Sequence, residues 1–103
     1  MIDIELNNYP NQNKTISIEE DYYSLTFNSF NGYTLATISR NDELLIEGFL
    51  CLPNNNIIPY YGLSPKGNFR FVCITDDYPN YKEFGKSCIL RWYTIDELNS
   101  IES

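Results

Sequence analysis

Residues 22–40 read Tyr22-Tyr23-Ser24-Leu25-Thr26-Phe27-Asn28-Ser29-Phe30-Asn31-Gly32-Tyr33-Thr34-Leu35-Ala36-Thr37-Ile38-Ser39-Arg40. Two alternating runs flank Asn31-Gly32, the dipeptide that most strongly signals a tight β-hairpin, because both of its residues tolerate positive φ. A two-residue loop there pairs Phe30 with Tyr33, Phe27 with Ala36 and Leu25 with Ile38. Asn28 then faces Leu35, and Thr26 faces Thr37. One face of the pair is apolar and the other mostly polar, as in a half-buried antiparallel sheet. Arg40-Asn41-Asp42-Glu43 predicts the next turn. A three-residue loop at that point pairs Ile38 with Ile46, Ala36 with Gly48 and Leu35 with Phe49. Residues 44–51 are therefore predicted as the third strand of a meander, with an apolar patch on its outer face.

The flanking sequence extends the same pattern. Ile2-Asp3-Ile4-Glu5-Leu6 alternates and predicts a first strand. Residues 7–13 are polar, contain Pro10, and are expected to form a loop. Thr15 to Ile18 alternates again, and Glu19-Glu20-Asp21 is expected to be a charged turn. Beyond the meander, 53–68 is a long irregular segment rich in Asn, Pro and Gly. A strand is predicted over 68–75, with Phe69, Phe71 and Cys73 on one face and Arg70, Val72 and Ile74 on the other. Residues 76–87 form a second irregular segment, and 88–94 the last strand. Thr94 is a suitable N-cap for a short C-terminal helix, and Asp96 and Glu97 suit the positive end of its dipole.

Composition agrees with this pattern. Among 103 residues there are twelve Ile, nine Tyr, six Phe and six Thr, but one Ala and one Val, so β-branched and aromatic residues outweigh strong helix formers. Thirteen Asn supply turn chemistry. The length fits one domain, 1–103, with one core. The expected fold is mainly β: an antiparallel meander in a small β-sandwich or a partly open barrel, closed by a short C-terminal helix.

Several functions are disfavoured by the residues present. Seven basic against fourteen acidic side chains give a net charge of −7, which repels a phosphate backbone, so no nucleic-acid partner is expected. The chain has no His, the commonest general base and zinc ligand. Cys51, Cys73 and Cys88 are far apart in sequence and sit among apolar neighbours, so they read as small buried hydrophobes and not as ligands or nucleophiles. The acidic pairs fall at predicted turns without the interleaving that a calcium loop needs. Neither Lys66-Gly67 nor Gly85-Lys86 opens a helix, so neither forms a phosphate loop. No catalytic residue, metal or cofactor is expected, and the protein does not read as an enzyme. No apolar run spans a membrane. The amino terminus lacks the basic and apolar regions of a secretory signal, so the chain is expected to remain in the cytosol where it is made.

Aromatic residues in the irregular segments are the positive signal. Segments 53–67 and 76–87 hold four of the nine Tyr and four of the five Pro. Tyr60, Tyr61, Tyr78 and Tyr81 are candidate protein-contact residues, because Tyr offers large contact area at low entropy cost. Leu35 and Phe49, on the outer face of the meander, are a second candidate patch. Charge is uneven too: residues 1–50 carry two basic and eight acidic groups, against five and six in 51–103.

The order of short motifs resembles a known family. Pro10-Asn11-Gln12 follows the first strand, and Gly48-Phe49-Leu50-Cys51-Leu52 runs into Ile57-Ile58-Pro59-Tyr60. Gly67-Asn68-Phe69-Arg70-Phe71-Val72, Asp77-Tyr78-Pro79, Phe84-Gly85 and Ile89-Leu90-Arg91-Trp92-Tyr93 complete the set. Over nearly the whole chain this is similar to the baseplate plug proteins of contractile-tailed phages, typified by a cyanophage plug. The resemblance implies a non-catalytic virion part, assembled in the host cytoplasm, that completes the centre of the tail baseplate. Its partners would be hub, spike and tail-tube proteins, and its copies would follow the threefold symmetry of the spike, as a trimer. Two other classes fit the composition: a small acidic inhibitor that mimics DNA, and a ligand-binding β-barrel.

Overall fold

The computed structural model describes residues 1–59 and 61–102. Among these residues seven strands form two antiparallel sheets. β1 (Ile2–Ile4), β6 (Gly67–Cys73) and β7 (Cys88–Thr94) form one sheet in the order β1-β7-β6. β2 (Asn11–Ile18), β3 (Asp21–Phe30), β4 (Tyr33–Arg40) and β5 (Glu43–Leu50) form the other, in sequence order. The helix α1 (Ile95–Glu102) follows β7 directly. The sheets do not close on each other, so of the two forms expected the sandwich is the one observed.

The hairpin at Asn31-Gly32 has the predicted register throughout, from Phe30 opposite Tyr33 to Leu25 opposite Ile38. Asn31 and Gly32 have φ of 51° and 83°, as a twist-matched two-residue turn requires. Two further hairpins use the same device without glycine. Glu19 and Glu20 stand at φ 48° and 72°, and Asn41 and Asp42 at 52° and 66°.

Several sequence expectations are corrected, among them the strand predicted over 68–75, which runs over Gly67–Cys73. β2 begins at Asn11 and not near Thr15, because Asn11, Gln12 and Asn13 complete the ladder with β3 opposite Asn28, Phe27 and Thr26. β1 ends at Ile4, two residues short of its predicted end. The turn before β5 has two residues, with Arg40 opposite Glu43, and not three. Ile38 still faces Ile46, because an irregularity between Ile38 and Ser39 takes up the extra residue. That bulge lets Leu45 and Ile46 both enter the core. A second irregularity lies between Ala36 and Ile38, where Gly48 adopts φ 63° and donates its N–H to Thr37 Oγ1 at 3.1 Å. Beyond it the register has moved by one: Ala36 faces Phe49, and Leu35 faces Leu50.

The core lies between the sheets and is largely aromatic. Tyr23 of β3 meets Phe69 and Trp92 at ring separations of 5.2 and 5.5 Å, and Phe69 meets Trp92 at 4.9 Å. Phe27, two inward positions further along β3 with Leu25 between, meets Phe71 at 5.4 Å, and Phe71 stacks on Phe84. Phe69, Phe71 and Cys73 face inward as the alternation predicts. At the carboxyl end, Thr94 Oγ1 accepts from the Glu97 N–H while the Glu97 carboxylate accepts from the Thr94 N–H, a reciprocal capping box.

Two substitutions test this account. Glu20 carries a left-handed φ that a side chain with a Cβ adopts at a cost, so Glu20→Gly is expected to stabilise the fold by about 1 kcal/mol in urea unfolding. Gly67 is the opposite case. A Cβ there would lie 2.2 Å from the Tyr93 carbonyl oxygen and 2.7 Å from the Trp92 ring. Gly67→Ala is expected to destabilise by about 3 kcal/mol in the same measurement.

Candidate assembly surface

The meander topology sorts its turns to opposite ends of the sheet. The β2–β3 and β4–β5 turns share one end, which gathers Glu19, Glu20, Asp21, Asp42 and Glu43. The Asn31-Gly32 turn, the start of β2 and the end of β5 share the other. That second end is aromatic and apolar at its surface: Tyr9, Phe30, Tyr33, Leu50, Leu52 and Tyr78 are all exposed, Phe30 at 61% and Tyr9 at 62%.

The segment 77–80 is fixed against this end by specific bonds. The Tyr78 ring stands edge-on to Tyr33 at 4.9 Å. Thr34 Oγ1 donates to the Pro79 carbonyl at 2.8 Å in a buried contact. Asn80 Nδ2 donates to the Gly32 carbonyl at 3.0 Å, and Asn80 Oδ1 caps the following 3-10 turn through the Lys82 N–H. The Tyr33–Tyr78 pair is therefore held on a sheet end, and its rings need little ordering on contact. A polar groove of about 500 Å³ runs beside it, lined by Thr75, Asp77, Tyr78, Glu83 and Ser87. A more apolar cleft of about 340 Å³ lies where residues 3–6 diverge from 84–90.

The residues singled out in sequence separate in space. Tyr78 lies on the aromatic end. Tyr81 is half-buried against the core, with Asn8 Nδ2 donating to its carbonyl at 2.9 Å. Leu35 is half-buried and Phe49 is 37% exposed. The register shift in β5 means that these two are not cross-strand partners. Tyr61 begins the 3-10 turn Tyr61–Leu63, and Tyr60 lies outside the described residues. Phe30 and Tyr33 were legible as a cross-strand pair flanking the turn. Both fall at outward positions of their strands, and that was the available signal for a contact surface.

The first long loop is largely tied down. Asn54 donates its N–H to the Phe71 carbonyl, and its side chain bonds both the N–H and the carbonyl of Cys73. The Ile57 N–H reaches the Phe69 carbonyl, and Asn68 clamps Ile58 from both sides. Residues 54–58 thus serve as a surrogate strand on the free edge of β6.

The thiols are arranged as packing groups. Cys51, Cys73 and Cys88 are free and buried, and Cys73 faces Cys88 across β6 and β7. Burial pushes the Cys51 thiol up to about 12 and also raises Cys73, which disfavours the reactive thiolate. Among the described residues no group of three or more His, Cys, Asp or Glu is placed to hold a metal ion. No helix among them is long and apolar enough to cross a membrane.

The fold defines a two-sheet β protein with exposed aromatic side chains at one end of its four-stranded sheet. The family model described as "Cyanophage baseplate Pam3 plug gp18" matches residues 1–96, and the chain belongs to this family of cyanophage baseplate plugs. Membership indicates a structural role in the phage tail baseplate, a location in the virion tail, and association with other baseplate proteins. No curated protein matches the chain.

The outer ion pairs set a pH dependence. Asp3 accepts from Arg91 Nε at 2.5 Å, and this bond holds its carboxyl below the usual value near 3.8. Hydrogen bonds from Asn41 and Lys66 do the same for Asp21. Carboxyl groups lowered in the folded state stabilise it above their unfolded values, and the benefit is lost as pH falls through the folded ones. Melting temperature is therefore expected to fall between about pH 5 and pH 3, and Asp3→Asn with Asp21→Asn is expected to make that fall shallower.

Proposed function

We propose that the chain is a non-catalytic subunit that completes the centre of a contractile-tail baseplate, beside the hub and spike, and that it docks there through its aromatic end. The Tyr33–Tyr78 pair, exposed yet anchored by Thr34 and Asn80, supports this reading most directly. Phe30 and Tyr78 are the anchors, Leu35 lies on the same outward face, and Tyr81 supports the loop from within, whereas Phe49, opposite the inward Ala36, falls on the other face and takes no part. The chain joins the particle in the host cytoplasm in several copies, with the threefold spike region setting their number. The acids at the opposite end stay outside the contact. They gather in one group at the turns and do not follow a strand's length, as a mimic of the DNA backbone requires.

The test is genetic complementation of tail assembly with Phe30→Ala plus Tyr78→Ala. The variant is expected to keep its far-ultraviolet circular dichroism, because both side chains are exposed. Loss of two anchors is expected to weaken docking by about 2–4 kcal/mol and to leave tails without the subunit. A folded variant that enters tails at the normal level would overturn the docking surface, and an electron-microscopy map with the chain away from the baseplate centre would overturn the placement.

A further inference from the structure

The outer face of β2, β3 and β4 is unusual for so acidic a chain. The cross-strand registers fix which side chains point outward: odd positions from 11 to 17, even positions from 22 to 30 and odd positions from 33 to 39. None of these residues is charged, although 20% of the chain is. A soluble surface ordinarily carries about a quarter to a third charged residues. The centre of the face is small and polar, with Ser24, Thr26, Thr37 and Ser39 half-buried by their neighbours. Its polar groups are partly satisfied within the face, since Asn13 Nδ2 donates to Thr26 Oγ1 at 2.8 Å. Larger apolar side chains stand at both ends of the strands, Tyr22 at one and Phe30 at the other. The outer side of the β1-β7-β6 sheet contrasts with this, because it carries Asp3 bonded to Arg91 and Arg70 over the Tyr93 ring. The helix packs on β6 and β7 and leaves the neutral face open.

We propose that this neutral face is a contact surface for a second copy of the chain. Charge decides the occupant. A basic partner would be drawn to acidic side chains, and β2, β3 and β4 offer none on this face, where Glu47 of the edge strand β5 is the one carboxylate beside it. A like-charged copy, itself at −7, can approach closely only where charge is missing. Face-to-face stacking with the strands reversed also sets the acidic turns of the two copies at opposite ends. Strands of eight residues hold them roughly 27 Å apart, beyond the screening length of about 8 Å in physiological salt. The face spans roughly 27 by 15 Å, smaller than a permanent interface, so micromolar association is expected. This contact adjoins the aromatic end, with which it shares Phe30, Tyr33 and Leu35, but it is centred on Ser24, Thr26, Thr37 and Ser39 and does not depend on the baseplate placement.

Sedimentation velocity of the purified chain from about 10 to 500 μM tests it. Concentration-dependent pairing is expected, and it should strengthen as salt is raised from about 0.05 to 0.5 M, because repulsion between the acidic ends is screened. Thr26→Glu, which sets a like charge at the centre of both faces, is expected to weaken pairing at least about tenfold. Ile74→Glu, at a position 84% exposed on the other sheet's side, is expected to leave it unchanged. Should Thr26→Glu fail to fold by circular dichroism, Ser24→Glu reports on the same face. A chain that stays monomeric over the whole range, pairing that weakens with salt, or equal effects of the Thr26 and Ile74 variants would overturn the proposal.

Discussion

Aromatic packing between the sheets is the interaction on which the rest depends. Tyr23 and Phe27 are two inward positions of one strand, β3, and they meet Phe69, Phe71 and Trp92 of the opposing sheet. Buried aromatic side chains of this size each contribute several kcal/mol, and the edge-on pairs add a smaller increment beyond the area removed from water. Because the contacts come from two points on a single strand, either side of the buried Leu25, they fix both the separation of the sheets and their relative slide. The ends of the meander, and whatever is displayed there, inherit their position from that lock.

A two-sheet fold leaves strand edges open, and each of the long loops answers a different part of that problem. Residues 54–58 lie along β6 and satisfy its outward backbone groups through asparagine side chains as well as main chain. Asn54 does this twice, by bonding both the N–H and the carbonyl of Cys73. Residues 77–84 instead tie the end of the meander to the other sheet, with Pro79 and Phe84 buried on the inside and Tyr78 left outside. At the far edge β5 is interrupted by two irregularities, which twist it and spoil it as a template for pairing with another chain.

The sequence was most legible where local chemistry and the global fold agree. Asn31-Gly32 can hardly do other than turn, and the apolar alternation on both sides permits one register. The N-cap at Thr94 was readable for the same reason, and the structure adds the reciprocal bond from Glu97, which the sequence alone assigns to the helix dipole. β5 was legible only in part. The apolar run Leu44-Leu45-Ile46 does not say which of its residues a bulge will absorb, and a tight turn plus a bulge gives the same Ile38–Ile46 pair as a longer loop. The start of β2 was hidden because Asn11-Gln12-Asn13 lacks apolar alternation, and its strand character comes from β3 alone. Tyr78 and Tyr81 share a loop and a residue type, and only the packing of Asn8, Thr34 and Asn80 separates the exposed ring from the half-buried one.

The distribution of charge follows from the same architecture. A meander places alternate turns at opposite ends, so turn residues chosen for conformation also determine where charge collects. At one end the turn positions are Glu19-Glu20 and Asn41-Asp42, and at the other Asn31-Gly32. Positive φ favours Asn and Gly and is costly for Glu, so the two glutamates are not explained by turn preference. Their value lies in their charge and in where it sits. Carboxylates at that end disfavour the end-on approach of a like-charged copy, although one of them, Asp21, is paired with Lys66. A subunit that must sit in one orientation among many neighbours gains from having one permissive side and one forbidding side. In this chain both are products of turn order in a single four-stranded sheet.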